Sequence, residues 1–308
     1  MNKISRRLFL KTAGATVGCL GLATALGSTK VFAAEGVFYG HPDRKGMLID
    51  TTTCIGCRSC EAACNQINNL PTPEAPFSDR AVFNEKRRTT ATAFTVVNQY
   101  NSTPDGPPIY RKQQCMHCEE PTCVSVCLVA AMKKTAEGPV TYNQDVCMGC
   151  RYCIAACPFY QPTYEYDNAT TPRVRKCEMC FKNRVQQGGI PACAEACPTK
   201  SIIFGKRSDL LALGSQRIVN KPDKYVNYIY GEHEAGGTGM LYLASVPFDQ
   251  LGLPTNLSRT PYPELTRDFL AAVPLVLIGW PALFLGANAF AKSREQETLS
   301  EETPTEDS

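Results

Sequence analysis

The sequence predicts an α+β fold poor in regular structure, tied together by cysteine and ended by one helix long enough to cross a bilayer. Three observations lead there. Sixteen of the 17 Cys among 308 residues fall in four groups of four, the groups repeat in two alternating types, and residues 269–290 form a run without charge. The 22 Pro and 22 Gly fit long connections between short elements.

Group one is Cys54, Cys57, Cys60 and Cys64; group two is Cys115, Cys118, Cys123 and Cys127. Group three is Cys147, Cys150, Cys153 and Cys157; group four is Cys177, Cys180, Cys193 and Cys197. Disulfides are the default for many Cys in an exported chain, but group one crowds four sulfurs into eleven residues, and such neighbours pair poorly. Zinc takes one or two C-x2-C pairs, and a third Cys two residues on has no use at a tetrahedral ion. Group four alone would pass for a zinc ribbon. Group three, with Pro158, reads C-x2-C-x2-C-x3-C-P, the bacterial ferredoxin run in which the fourth Cys binds the other cluster of a pair. Four thiolates serve one [4Fe–4S] cube, so four groups imply four [4Fe–4S] clusters, with iron held through all sixteen Cys.

The repeats order the groups. MLIDTTTCIGCRSCEAAC at 47–64 resembles VTYNQDVCMGCRYCIAAC at 140–157, and RKQQCMHC at 111–118 matches RVRKCEMC at 173–180. Gly56 and Gly149 are expected to let backbone pass close to a cluster and donate N–H groups to sulfur. The x3 spacing places Cys60 and Cys64, or Cys153 and Cys157, one helical turn apart at the opening of a short helix. Groups two and three are neighbours and form one ferredoxin-like unit; groups one and four then form the other, interrupted by the first. Cluster 1 takes Cys54, Cys57, Cys60 and Cys197; cluster 2 takes Cys64, Cys177, Cys180 and Cys193. Cluster 3 takes Cys115, Cys118, Cys123 and Cys157; cluster 4 takes Cys127, Cys147, Cys150 and Cys153. The alternative pairs group one with two and group three with four.

The expected fold is therefore two nested bacterial-ferredoxin-like (2×[4Fe–4S]) domains, loop-rich, plus one C-terminal transmembrane helix. Residues 34–110 and 161–210 make the first unit, 111–160 the inserted one, and 211–268 an extension or docking segment. Strands are predicted at 46–50, 132–134, 139–142 and 201–205, with a turn at Thr135–Gly138 joining the middle pair as a hairpin. The Pro-rich stretch 65–110 reads as an irregular insertion with one strand near 92–98.

The two ends set the compartment. Ser5-Arg6-Arg7-Leu8-Phe9 before an apolar stretch is a Tat export signal over 1–33, with a small-residue cleavage site at Ala33–Ala34. Tat export suits a protein loaded with clusters before it crosses. Cys19 falls in the signal and is expected to bind nothing. Phe269 to Phe290 is long enough to cross a hydrocarbon core of roughly 30 Å, and its Pro274 and Pro281 are tolerated in membrane helices. Lys292 and Arg294 follow, marking the cytoplasmic side and leaving 291–308 as an acidic cytoplasmic tail. The cluster units then face the periplasm.

Formal charge is +3, but residues 1–34 hold five of the 32 basic residues and none of the 29 acidic ones. The remainder carries 27 against 29, a net −2. Arg58, Arg111, Lys112, Arg151, Arg175 and Lys176 stand beside the motifs, where they can offset cluster charge. His117 has two readings, a hydrogen bond to a cluster sulfur or a surface position. Phe159, Tyr160, Tyr164 and Tyr166 are expected to pack against a cluster, with a docking surface as the alternative. There is no phosphate loop, dinucleotide fingerprint, nucleic-acid footprint or catalytic constellation outside the cysteines, so the chain reads as a non-catalytic component.

Over about 46–205 the motifs resemble the four-cluster ferredoxin-like electron-transfer subunits of membrane-bound respiratory oxidoreductases. The resemblance implies four [4Fe–4S] clusters and agrees with the nested pairing. Leu128 and Asn65 depart from it, standing where Pro follows the last Cys of a group; backbone shape should change there, and ligation should not. The Tat signal, the single C-terminal helix and the stretch Gly231-Glu232-His233-Glu234-Ala235-Gly236-Gly237-Thr238-Gly239-Met240-Leu241-Tyr242-Leu243 look like the iron–sulfur subunit of hydrogenase-2-type [NiFe] hydrogenases. That resemblance implies catalytic partners, the hydrogenase small and large subunits, and a multi-span quinone-reactive subunit in the inner membrane. The β subunit of a formate dehydrogenase is the second resemblance. A stand-alone soluble redox carrier is the reading from another class, and the membrane span opposes it.

Overall fold

A strand buried on both faces needs cover on both, and Met47, Leu48 and Ile49 are all 2% exposed or less. The structure, a computed structural model, describes residues 40–101 and 106–301. The expected signal at 1–33, with Cys19 and the Ala33–Ala34 junction, lies outside the described residues, as do 302–308 of the tail. In chain order the elements are β1 (Lys45–Asp50), α1 (Ser59–Ile67), β2 (Val96–Asn101), β3 (Pro108–Gln113), α2 (Thr122–Ser125), β4 (Met132–Lys134), β5 (Val140–Tyr142) and α3 (Tyr152–Ala155). Then come β6 (Thr163–Tyr164), β7 (Val174–Arg175), α4 (Ala192–Glu195), β8 (Ile202–Lys206), α5 (Arg207–Asn220), β9 (Met240–Leu243) and α6 (Tyr262–Glu301).

β1 is the middle strand of a three-stranded sheet, antiparallel to β8 with Leu48 opposite Ile203 and parallel to β9 with Leu48 opposite Leu241. Side chains alternate between faces. Met47 and Ile49 enter the larger core with Tyr230, Tyr242, Phe248 and Leu251, while Leu48 joins Leu210, Ile218, Tyr225 and Leu243 beneath α5. Three further two-stranded ladders complete the sheet content: β2–β3, β4–β5 and β6–β7. The described residues pack as one unit.

The expected strands at 46–50, 132–134, 139–142 and 201–205 form with shifts of about one residue, and Gly138 N–H bonds Thr135 O (3.2 Å) in the predicted turn. Three features differ from expectation. The strand expected near 92–98 runs 96–101 and pairs with β3, read from its prolines as irregular; Pro108 sits at the ladder's first position, where a missing N–H costs least. Residues 211–268 supply β9 and much of the core instead of an appended segment, because only a third strand covers β1's open edge. The insertion after α1 is also pinned. Glu61, 5% exposed, accepts from Arg58 (3.0 Å), Arg87 (2.6 Å) and the Val97 N–H (2.6 Å).

The repeated motif folds in the same way twice. Gly56 and Gly149 have φ 67° and 73°, and Arg58 and Arg151 precede their helices at φ 61° and 60°. The copies part after the fourth Cys. Pro158 ends α3 in a turn closed by Tyr160 N–H on Cys157 O (3.1 Å), whereas Asn65 lets α1 run on to Ile67. Leu128 leaves the turn intact, with Ala130 N–H on Cys127 O (3.0 Å).

α6 is the single helix among the described residues long and apolar enough to cross a membrane. Its Leu275, Ile278, Trp280 and Leu285 are all more than half exposed. It touches α2.

The two motif glycines should not tolerate a methyl equally. A Cβ at Gly56 would lie 2.5 Å from the Tyr110 ring, and one at Gly149 would meet only the Tyr164 hydroxyl at 3.0 Å. Gly56→Ala is expected to cost about 2–4 kcal/mol and Gly149→Ala about 1 kcal/mol. Thermal melts of the two variants, compared with the parent, check the order.

Candidate metal centres

The elements place the cysteines by helix contact. α1, carrying Cys60 and Cys64, packs on α4, which carries Cys193 and leads into Cys197. α2, carrying Cys123, packs on α3, carrying Cys153. The sixteen thiols of the four groups are unbridged.

Four sets of facing thiols result. Burial pushes Cys54 up to about 11, and Cys197 and Cys57 add to that rise. Burial also raises Cys64, with Cys177, Cys193 and Cys180 facing it. Cys118 is raised by burial, then by Cys157, Cys123 and Cys115. Cys153 is pushed to about 11 by burial, then by Cys127, Cys147 and Cys150. Charge interactions across sets also link Cys60 with Cys193 and Cys177 with Cys115, so the second and third sets lie near each other.

This donor arrangement fits iron–sulfur cubes. Among the described residues, no three His, Cys, Asp or Glu side chains converge on a point fit for one ion. Each set of four separated thiols suits a larger body with four corners. Burial raises most of these thiols, to about 12 at Cys123 and Cys177 and further at Cys60, so a bound cation must displace protons.

Polar hydrogens are aimed at the sulfurs. Ala131 N–H donates to Cys127 Sγ (3.1 Å) and Met179 N–H to Cys177 Sγ (3.3 Å). The backbone N–H of Gly56 donates to Cys54, and those of Phe159, Tyr160 and Gln161 donate to Cys157. Burial alone would raise Cys197, but hydrogen bonds from Ile202, Thr199 and Ser201 outweigh it and bring the thiol below its ordinary value. Such bonds tune the potential of a bound cluster.

Of the six cations expected to offset cluster charge, two face thiols. Lys112, 2% exposed, faces Cys193, Cys60 and Cys177; burial opposes its charge, and the thiols more than restore it. Lys176, 4% exposed, faces Cys115 and Cys123 of one set and Cys177 of another, and its Nζ donates to Cys177 O (3.0 Å) and Val140 O. Arg58 is turned to Glu61 and the carbonyls of Pro76 and Asp79, Arg151 lies over the Tyr164 ring, and Arg175 pairs with Glu165. Arg111 bonds Tyr100 and Gln113.

His117 is fully buried, so its surface reading fails. Its Nδ1 accepts from Val140 N–H (2.9 Å), while burial and the charges of Lys176, Lys134 and Lys112 hold the ring neutral. Phe159 is buried, but Tyr160 and Tyr166 are 63% and 70% exposed, so the aromatic run is not wholly packing. Sequence reasoning missed the clamp on group two. Gly239 N–H bonds His117 O (3.1 Å), Met240 N–H bonds Met116 O (3.2 Å), and Glu119 N–H bonds Gly237 O (3.0 Å). Its signal was the glycine density of 231–239; Gly231, Gly236 and Gly237 have φ between 80° and 97°.

Comparison with known proteins gives the same chemistry. The 4Fe-4S dicluster domain family matches residues 108–207. A Nitratidesulfovibrio vulgaris protein whose name states no activity is 44% identical over 97% of this chain and 80% of its own length. The hydrogenase-2 operon protein HybA of Escherichia coli is 37% identical over 82% of this chain and 84% of its own. The iron–sulfur subunit of the nitrate-inducible formate dehydrogenase of Escherichia coli is 34% identical over 78% and 81%.

Lys176 places positive charge between two thiol sets, and removing it should make reduction there harder. Lys176→Met is expected to lower the potentials of the two flanking centres on the order of 100 mV, the Coulomb cost of a lost nearby charge at an effective dielectric of about 20. Redox titration followed by EPR checks this; unchanged potentials at both would separate Lys176 from the clusters.

Proposed function

The chain belongs to the family of iron–sulfur electron-transfer subunits that includes hydrogenase-2 operon protein HybA and the formate dehydrogenase iron–sulfur subunits, and on that premise we propose that it links a periplasmic [NiFe] hydrogenase to a quinone-reactive membrane subunit through four [4Fe–4S] clusters. The gathering of sixteen unbridged thiols into four facing sets carries this reading. When bound, each cluster takes up and passes on one electron. The chain's own residues hold, hydrogen-bond and shield those clusters, and make no bonds in a substrate.

Cys54, Cys57, Cys60 and Cys197 hold cluster 1, and Cys64, Cys177, Cys180 and Cys193 hold cluster 2. Cys115, Cys118, Cys123 and Cys157 hold cluster 3, and Cys127, Cys147, Cys150 and Cys153 hold cluster 4. The contacts of α1 with α4 and of α2 with α3 support this nested assignment over a sequential one. Cys57 and Cys150 are exposed, giving the first and last sets a route to partner proteins.

The chain is exported through the Tat signal at 1–33 and anchored by α6, with the tail after Lys292 and Arg294 in the cytoplasm. The exposed apolar face of α6 supports the anchor. Higher identity to HybA favours a hydrogenase partner, and the formate dehydrogenase relatives, at 33–34%, support the second reading.

Iron analysis of the purified complex is expected to give about sixteen iron atoms for this chain, and saturation near eight would remove two clusters from the assignment. Cys197→Ala is expected to abolish the cluster-1 EPR signal, leaving clusters 3 and 4; loss of only a group-two or group-three signal would overturn the nesting. Nickel in the co-purifying catalytic subunit is expected, whereas molybdenum or tungsten there would transfer the assignment to formate dehydrogenase.

A further inference from the structure

Between the β2–β3 hairpin and the loop after Cys157 lies a cleft of about 490 Å³ whose lining includes Lys86, Arg87, Arg88 and Arg111 and no Asp or Glu. Arg87 pairs at 2.6 Å with Glu61, a carboxylate it shares with Arg58. Among the described residues, the other three cations meet only neutral acceptors. Lys86 donates to the Gln99 carbonyl, Arg88 to Tyr160 O (3.1 Å), and Arg111 to the Tyr100 hydroxyl (3.1 Å), Gln113 Oε1 (2.8 Å) and Gly252 O (3.4 Å). Arg111 is 5% exposed, and its Nε has no acceptor. Lys86 and Arg111 both lie over the Tyr100 ring, at 4.2 and 5.4 Å. Burial lowers the Lys86 amine, and the Arg111 charge lowers it further.

The cations that act most on the raised thiols, Lys112, Lys134, Lys176 and Arg184, do not line this cleft. A concave site lined by one sign of charge concentrates the opposite sign. Met116, Phe159 and Tyr160 add apolar and aromatic wall, which a bare oxyanion does not need and a peptide segment does. Tyr and Arg are the residues that anchor protein interfaces.

We propose that this cleft seats a carboxylate-bearing segment of a partner subunit, docked beside the loop that wraps Cys157. The proposal rests on the reading of the chain as one subunit of an oxidoreductase complex. Lys86 and Arg88 are both exposed, so each can be changed without opening the core.

The test is carbodiimide coupling on the intact complex, isolated through a tag on this chain and mapped by mass spectrometry. The expected product is an amide between Lys86 Nζ and an Asp or Glu of a co-purifying subunit, absent in Lys86→Gln. Arg88→Glu is expected to weaken retention of that subunit on the order of tenfold. If the subunit co-purifies but Lys86 forms no crosslink and stays open to an amine-directed reagent, the proposal is overturned. Shielding of Lys86 by inorganic phosphate, and not by the subunit, makes the cleft an oxyanion site and also overturns it. A preparation in which nothing co-purifies fails differently: it removes the functional reading and takes the docking proposal with it.

Discussion

The contact of α1 with α4 joins residues 59–67 to residues 192–195, and the cysteine geometry of the first unit depends on it. Cys60 and Cys64 sit one helical turn apart on α1, so they address two thiol sets. Cys193 on α4 and Cys197 just beyond its end do the same. Neither helix completes a set alone. β1 and β8 lead into and out of these groups as antiparallel neighbours, holding the helices in register. Ligand placement and backbone pairing are thus one constraint expressed twice.

Charge follows from the same arrangement. Thiolates packed in fours repel one another and are poorly solvated, and both effects raise the buried thiols. Lys112 and Lys176 answer this from between the sets, at positions where burial would otherwise strip their charge. The arginines of the motifs have other work. Arg58 fastens the 76–79 loop and shares Glu61 with Arg87, so a residue inside a ligand motif holds the insertion in place. Removing Glu61 would leave the Arg58 and Arg87 charges uncompensated, at a cost of about 3–5 kcal/mol.

Much of this was legible in the sequence, and the residues show why. The cysteine spacing and its repeats announced the motif loops, and alternation with turn residues announced β1, β4, β5 and β8. β3 was hidden because Pro104, Pro107 and Pro108 outweighed a short run of strand formers; β9 was hidden because four apolar residues carry no period. The direction of a long side chain cannot be read from spacing either. Lys112 and Arg111 are adjacent, yet one reaches thiols and the other a cleft. His117 gave no sign of burial, since its cover comes from Gly239 and Val140, distant in sequence.

The pairing of β1 with β8 and the contact of α1 with α4 also have a consequence in time. A chain emerges N-terminus first at about 5–20 residues per second, and an element cannot pair with one not yet made. β1 and α1 must therefore wait for β8 and α4 for roughly 7–30 s, while groups two and three, closer in sequence, can meet earlier. During that delay the group-one sulfurs stand open to oxidants and to the wrong metal. Of the four groups, the cysteines made first are among the last to be protected by their own fold, so the cell must guard them or load them late.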